Sequence, residues 1–229
     1  TIHFHAWRSR SIRHYLNDAE TRFYLAIIGI STLTISVYLF YSGTYELQDS
    51  FIHGIFHTIS VITTSGFGAE DFSIWPSFLP VAIIMLSFIG GCAGSTGGGM
   101  KAVRVMLVAK QGIREMKQLI HPNAVIPLKI GSHRVEAKIV SAIWSFVGVY
   151  MISFIIITLA MMACGLDSIS AFSATAAAIN NMGPGLGEVA ASYRSVSDTG
   201  KWILCYAMLL GRLEIFTLLV LLMPSFWRR

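Results

Sequence analysis

Charge is what this sequence has least of. Only 13% of its 229 residues are Asp, Glu, Lys or Arg, against roughly 25% in a soluble domain. Hydrophobic residues make up 54%, and the mean hydropathy is +0.64. That balance excludes an ordinary soluble or disordered chain. Cysteine is also scarce: Cys92, Cys164 and Cys205 fall in or at the edge of apolar segments. Three cysteines without short spacing exclude a disulfide framework and a zinc site. Residues 1–22 are polar and basic and lead straight into a full-length apolar run, so no cleaved leader is expected. The chain begins at Thr1, and a fragment of a longer protein is expected.

What is abundant is uncharged length. Residues 23–45, 72–100 and 139–166 carry no charge, and 202–227 carries only Arg212 and Glu214. Each exceeds the roughly 20 residues that cross a bilayer core, so four spanning helices are expected. Arg8, Arg10, Arg13 and Arg22 outnumber Asp18 and Glu20 before the first run. Segment 101–138 has eight Lys and Arg against Glu115 and Glu136, and Arg228 with Arg229 ends the chain. Segment 43–73, by contrast, has only Glu46, Asp49, Glu70 and Asp71. Basic loops stay cytoplasmic, which places both termini of this segment inside. The basic excess is a topology signal, and no nucleic-acid partner is expected.

Two uncharged stretches, 50–69 and 168–187, end in glycine-rich turns: Thr63-Thr64-Ser65-Gly66-Phe67-Gly68 and Asn180-Asn181-Met182-Gly183-Pro184-Gly185. Gly66 and Gly183 are 117 residues apart, and the flanking sequences superpose. An apolar segment precedes and follows each, which describes a duplicated helix–pore loop–helix unit entering from outside. Irregular backbone at membrane depth is tolerated only inside protein or beside a watery cavity. A filter must aim carbonyl oxygens at a dehydrated ion, and glycine permits the positive φ that turns them. Thr63 and Thr64 offer hydroxyls at the filter base, and Asn180 and Asn181 offer bracing amides. Asp49, Asp167, Ser50 and Ser168 are candidate caps for the two pore helices.

These turns, the run Gly90-Gly91-Cys92-Ala93-Gly94-Ser95-Thr96-Gly97-Gly98-Gly99-Met100-Lys101, and Gly211-Arg212-Leu213-Glu214 together resemble the Trk/Ktr/HKT superfamily of potassium transporters. The likeness is greatest to its bacterial Trk branch and covers essentially the whole chain. It implies an all-α membrane protein of the bacterial inner membrane that takes up potassium through a channel-like pore of four repeats. This chain has two, which look like the third and fourth: 23–118, with a broken second helix, and 138–229. Segment 1–22 is then a cytoplasmic approach and 119–137 a cytoplasmic loop. The implied filter positions are Thr64, Ser65, Gly66, Phe67, Asn181, Met182, Gly183 and Pro184, with potassium, the substrate, held at the Gly66 and Gly183 carbonyls. Implied partners are the N-terminal half of the same protein, a second complete pore in a homodimer, membrane lipid, and a cytoplasmic nucleotide-binding regulatory subunit called TrkA. One glycine per loop implies fewer tight sites than the consecutive carbonyl layers of TVGYG filters.

The Gly90–Lys101 run is not a phosphate loop, since Ala102 follows Lys101 and no soluble strand precedes it. Its glycines, with Ser95 and Thr96, should break the helix that begins near Ser77, and the helix should resume around Met100. The resemblance implies an intramembrane gate at Gly94, Ser95, Thr96, Gly97, Gly98 and Gly99; close packing against small residues is the alternative. Arg212 is costly inside a span. The resemblance places it in the ion path as a barrier, and a structural ion pair is the alternative. His53 and His57, at i, i+4, are expected to pack rather than bind metal. Residues 100–119 form a basic helix leaving the membrane, for headgroup contact or for docking the regulatory subunit. The competing class is an H+- or Na+-coupled secondary transporter, but the repeats are parallel, and no ionisable residue lies in either filter. No enzyme is expected: a serine protease built on Ser95 would need a histidine in a neighbouring span, and the spans have none. No cofactor is expected.

Overall fold

The computed structural model describes residues 7–10, 15, 17–131, 133–213 and 215–227. Of the sequence expectations, Arg13, Glu214, Arg228 and Arg229 lie outside the described residues. Helix α1, Ala19–Tyr41, starts where Asp18 accepts from the backbone N–H and the hydroxyl of Thr21, both at 2.7 Å. It ends where Gly43 turns to φ +69°. Helix α5, Ala137–Ala163, runs 27 residues and stops at Cys164, before Gly165 with φ +100°. At 1.5 Å per residue, both are longer than a bilayer core of about 30 Å.

Helices α2, Leu47–Ile62, and α6, Ser168–Ile179, are apolar but too short to cross, at 16 and 12 residues. α2 lies on α1; α6 lies between α5 and α7, Asp198–Arg212. α6 is nearly all core, with Ala171, Ala174 and Ala176 to Ile179 buried. Its small side chains let the surrounding helices close around it. α2 is covered on one side only and leaves Phe51, Ile52, Ile55, Phe56 and Ile59 exposed. One hydrophobic core runs through both repeats, from Ile35 and Leu39 to Leu210 and Ile215.

The second apolar run is broken as expected. Helix α3, Leu79–Leu86, ends after eight residues, and α4, Ala102–Ile120, resumes the path. Beyond α4, the strands β1, Lys129–Ile130, and β2, His133–Arg134, form a small hairpin. The expectation of four spanning helices, the second of them broken, needs correction. The fourth run also breaks, at Leu213, and α8, Ile215–Leu222, leaves α7 at 113° before α9, Pro224–Trp227. Among the described residues two helices span unaided, and a third only if that bent pair counts as one span. The break follows Gly211, where a Cβ would sit 1.8 Å from the Ile179 carbonyl oxygen. α7 is thus pinned against the end of α6 just before its last residue, Arg212, turns toward a cavity.

Candidate functional site

The short helices end in the same way, atom for atom. Ser65 N–H donates to Ser60 O at 2.9 Å and Thr64 N–H to Val61 O at 3.0 Å. At an offset of 117 residues, Met182 N–H donates to Ala177 O at 2.8 Å and Asn181 N–H to Ala178 O at 3.0 Å. This is the Schellman pairing that closes a helix through one left-handed residue. Glycine usually fills that place, but here it is Thr64 at φ +56° and Asn181 at φ +55°. A β-branched residue with positive φ is an outlier, and such strain costs about 1–3 kcal/mol. Gly66 and Gly183 follow two residues later, at φ +71° and +103°.

The two turns touch. A Cβ on Gly66 would stand 1.9 Å from the Met182 carbonyl oxygen and 3.3 Å from Pro184 Cδ. Around Gly183 there is open space, so its need for glycine rests on φ alone. The helices point their C-terminal ends, the negative ends of their dipoles, at the turns. A cation is the ion those ends favour.

Of the candidate caps, Asp167 caps α6, accepting from Ile169 N–H at 3.0 Å and Ser170 N–H at 3.4 Å. Bonding to Ser170, side chain first and then backbone, with a further bond from Ile169 N–H, holds its carboxyl below the usual carboxylate range. Ser168 is the first residue of that helix. The other expectation fails. α2 begins four residues further from its turn than α6 does, so Glu46 takes the cap position without a side-chain bond. Asp49 is left in the first turn, where its charge still suits the dipole. Ser50 donates to the Tyr45 carbonyl instead.

The segment between α3 and α4 is a pinched loop rather than a stretched helix. Gly90 N–H donates to Met100 O at 2.8 Å and Met100 N–H to Phe88 O at 3.0 Å, which closes its neck. The Lys101 ammonium donates to Ser95 O and Gly97 O, both at 2.7 Å, and shapes its tip. Glu20 accepts from Ala93 N–H at 2.6 Å and ties the tip to the first turn of α1. Gly98 lies against the second turn, where a Cβ would meet Asn180 O at 2.1 Å. Its N–H reaches Thr64 Oγ1 at 3.3 Å. The loop therefore sits across the bases of both turns, and the strained Thr64 supplies an acceptor that glycine would lack.

A cavity of about 140 Å3 adjoins this loop, lined by Ser95, Thr96, Gly97, Gly99, Arg212 and Tyr150 among others. Lys101 and Arg104 also line it, so it carries three cationic side chains. Arg104 lies over the Phe146 ring at 4.1 Å. Arg212, which lines the cavity, is exposed and forms no ion pair among the described residues. Gly94 faces open space. Asn180 ties the pieces together: Tyr150 donates its hydroxyl to the Asn180 amide oxygen, and Asn180 Nδ2 donates to Ser87 Oγ at 2.8 Å. Asn181 Nδ2 donates to Met208 O at 3.2 Å. Both asparagines brace the turn against neighbouring helices rather than within itself.

Sequence reasoning missed Ser87, Tyr150 and Glu20, whose partners lie 30 to 93 residues away in the chain, and Tyr193, whose hydroxyl donates to Gly183 O ten residues before it. Lys101 and Arg104 it assigned to the basic helix alone. The His53 and His57 rings are 6.5 Å apart, and His57 packs edge-on to Phe72 and Trp75. The three cysteines are free.

Residues 3–229 match the model of the TrkH family, described as cation transport protein. The Trk system potassium uptake protein TrkH of Halomonas elongata is 45% identical over the whole chain, which spans 48% of that relative. TrkH of Escherichia coli K12 is 43% identical over 99% of this chain and 47% of its own length. The crystal structure of the potassium transporter TrkH from Vibrio parahaemolyticus superposes with a TM-score of 0.93 at 46% identity, over 99% of this chain and 49% of that one. The chain thus spans about half the length of these relatives and matches their C-terminal half. With the duplicated turns, the broken helix and the charged cavity all present, the chain belongs to the TrkH family of cation transport proteins.

Proposed function

We propose that this chain forms half of a potassium-uptake pore, with the turns at 64–67 and 181–184 as two of four filter loops. The observation that carries the reading is the repeated helix end, the same hydrogen bonds at an offset of 117 residues, with the two turns in contact. Potassium is the transported substrate, coordinated by carbonyls that include those of Gly66 and Gly183. The loop from Gly94 to Gly99 obstructs the path below, and Arg212 repels cations there. The exposed apolar face of α2, beside an exposed Phe67, is where a neighbouring repeat from the N-terminal half closes the ring. Names carried by the relatives support potassium uptake; a bacterial inner-membrane location, a homodimer of complete pores and a TrkA-like regulator belong to the same reading. The chemistry is passage of an ion, with no bond made or broken and so no enzyme. The test is rubidium uptake by liposomes containing the complete protein, with sodium as competitor. A current linear in voltage and altered selectivity in Gly66→Ser and Gly183→Ser support the reading; unchanged flux and selectivity in both variants overturn it.

A further inference from the structure

The two turns have the same backbone, but they are held differently. In the first, Gly66 is wedged against Met182 O, and the next carbonyl, Phe67 O, accepts from Ser60 Oγ at 2.6 Å. Ser65 Oγ adds a bond to Ser60 O at 3.2 Å. At the same offset of 117 residues, the second turn has Ala177 for Ser60 and Met182 for Ser65, so both hydroxyls are gone. Gly183 has open space around it, and its N–H reaches Ala177 O only at 3.5 Å. Its carbonyl has one strong tether. Tyr193, on the limb returning to α7, donates its hydroxyl to Gly183 O at 2.8 Å.

We propose that Tyr193 is a specificity-determining positioning residue, whose hydroxyl fixes the Gly183 carbonyl as a ligand for the permeating ion. The proposal rests on the reading of Gly183 as a filter residue. A carbonyl oxygen has two lone pairs, so a bond from Tyr193 leaves one for the ion. Choice between monovalent ions depends on where such oxygens stand and how strong their field is. Tyr193 is suited to this. Its ring packs against the hydrophobic core, and Val196 N–H bonds its backbone carbonyl at 3.3 Å. Burial pushes its phenol up to about 12, so it remains a donor at neutral pH. The position 117 residues earlier is Pro76, which has no hydroxyl; in the first turn Ser60 holds the next carbonyl along, Phe67 O, instead. Two repeats that share a backbone thus hold their carbonyls with different side chains.

Tyr193→Phe removes one oxygen and keeps the ring. In the complete protein in liposomes, it should lower the preference for rubidium over sodium about fivefold, the ratio for one ordinary hydrogen bond of about 1 kcal/mol. Both fluxes are read per folded molecule, and a merely structural role would not move the ratio. An unchanged ratio in Tyr193→Phe, while Gly183→Ala shifts it, overturns the proposal and leaves the filter standing. No shift in Gly66→Ser, Gly183→Ala or Tyr193→Phe removes the filter reading and this proposal together. If Tyr193→Phe does not fold, 3-fluorotyrosine placed at 193 keeps the shape and strengthens the donor. That substitution must then move the ratio, and no movement overturns the proposal.

Discussion

Gly66 of the first repeat lies so close to Met182 of the second that a methyl group on it would stand 1.9 Å from the Met182 carbonyl oxygen. Gly183 meets no such wall. Two glycines at equivalent positions should therefore respond unequally to alanine. Gly66→Ala must shift backbone, an overpacking of about 1–3 kcal/mol added to the strain of positive φ. Gly183→Ala carries only the strain, about 1–2 kcal/mol. Thermal unfolding of the complete protein should rank Gly66→Ala below Gly183→Ala, and equal midpoints would contradict the contact.

Removing part of the stretch from Gly94 to Gly99 should raise flux and leave ion preference unchanged. The loop lies beneath both turns, tied by Gly98 N–H to Thr64 Oγ1, whereas the proposed reading puts ion choice in the turns. Rubidium and sodium uptake in liposomes separates the two effects. Lost flux in folded protein would sink the obstructing role.

Arg212→Ala should also raise cation flux. A unit charge 4 Å from the path acts with on the order of 4 kcal/mol at an effective dielectric of about 20. With Lys101 and Arg104 lining the same cavity, part of the barrier should remain. Flux normalised to folded protein is the measurement; a lower value would instead mark Arg212 as a structural partner, whose loss unpairs a buried charge.

Asn180→Ala should destabilise by about 1–3 kcal/mol, because it strands the buried Tyr150 hydroxyl. Tyr150 and Ser87 share this one amide. The double variant Asn180→Ala/Tyr150→Phe should therefore cost less than the sum of the singles. Additive unfolding energies would refute the shared bond.

Asp167 gives a pH dependence of known sign. Its carboxyl pKa is lowered on folding. Its contribution is therefore present above the unfolded value of about 3.9 and lost as pH falls through the lower folded value. Asp167→Asn keeps a good cap without the charge. The variant should lose this part of the acid sensitivity in melts taken between about pH 5 and 2; identical profiles would rule the coupling out.

The two glycine-rich turns were legible because positive φ and close approach are written locally, as glycine at fixed spacing after an apolar run. The break after Leu86 was legible for the same reason. The break at Leu213 was not, since apolar length there matches a span, and Gly211 matters only once α6 lies against it. Counting back 17 residues from Gly66 reaches Asp49, and 16 from Gly183 reaches Asp167. Only Asp167 caps, because the shorter helix starts beside it. Partners such as Asn180 with Ser87, 93 residues apart, or Glu20 with Ala93, 73 apart, leave no periodic trace. Such pairs arise from packing, which local pattern does not encode.

Gly97 and Gly98 pack directly beneath the turns, with Gly98 against the Asn180 carbonyl and bonded to Thr64. Any displacement of this segment uncovers a polar carbonyl and takes the donor from a strained hydroxyl. Neither can be left bare at that depth, since an unsatisfied buried group costs about 1–3 kcal/mol. Water has to enter as the glycines leave. If the loop moves aside as proposed, water would reach the base of both turns, and its entry would be part of the free energy of that displacement.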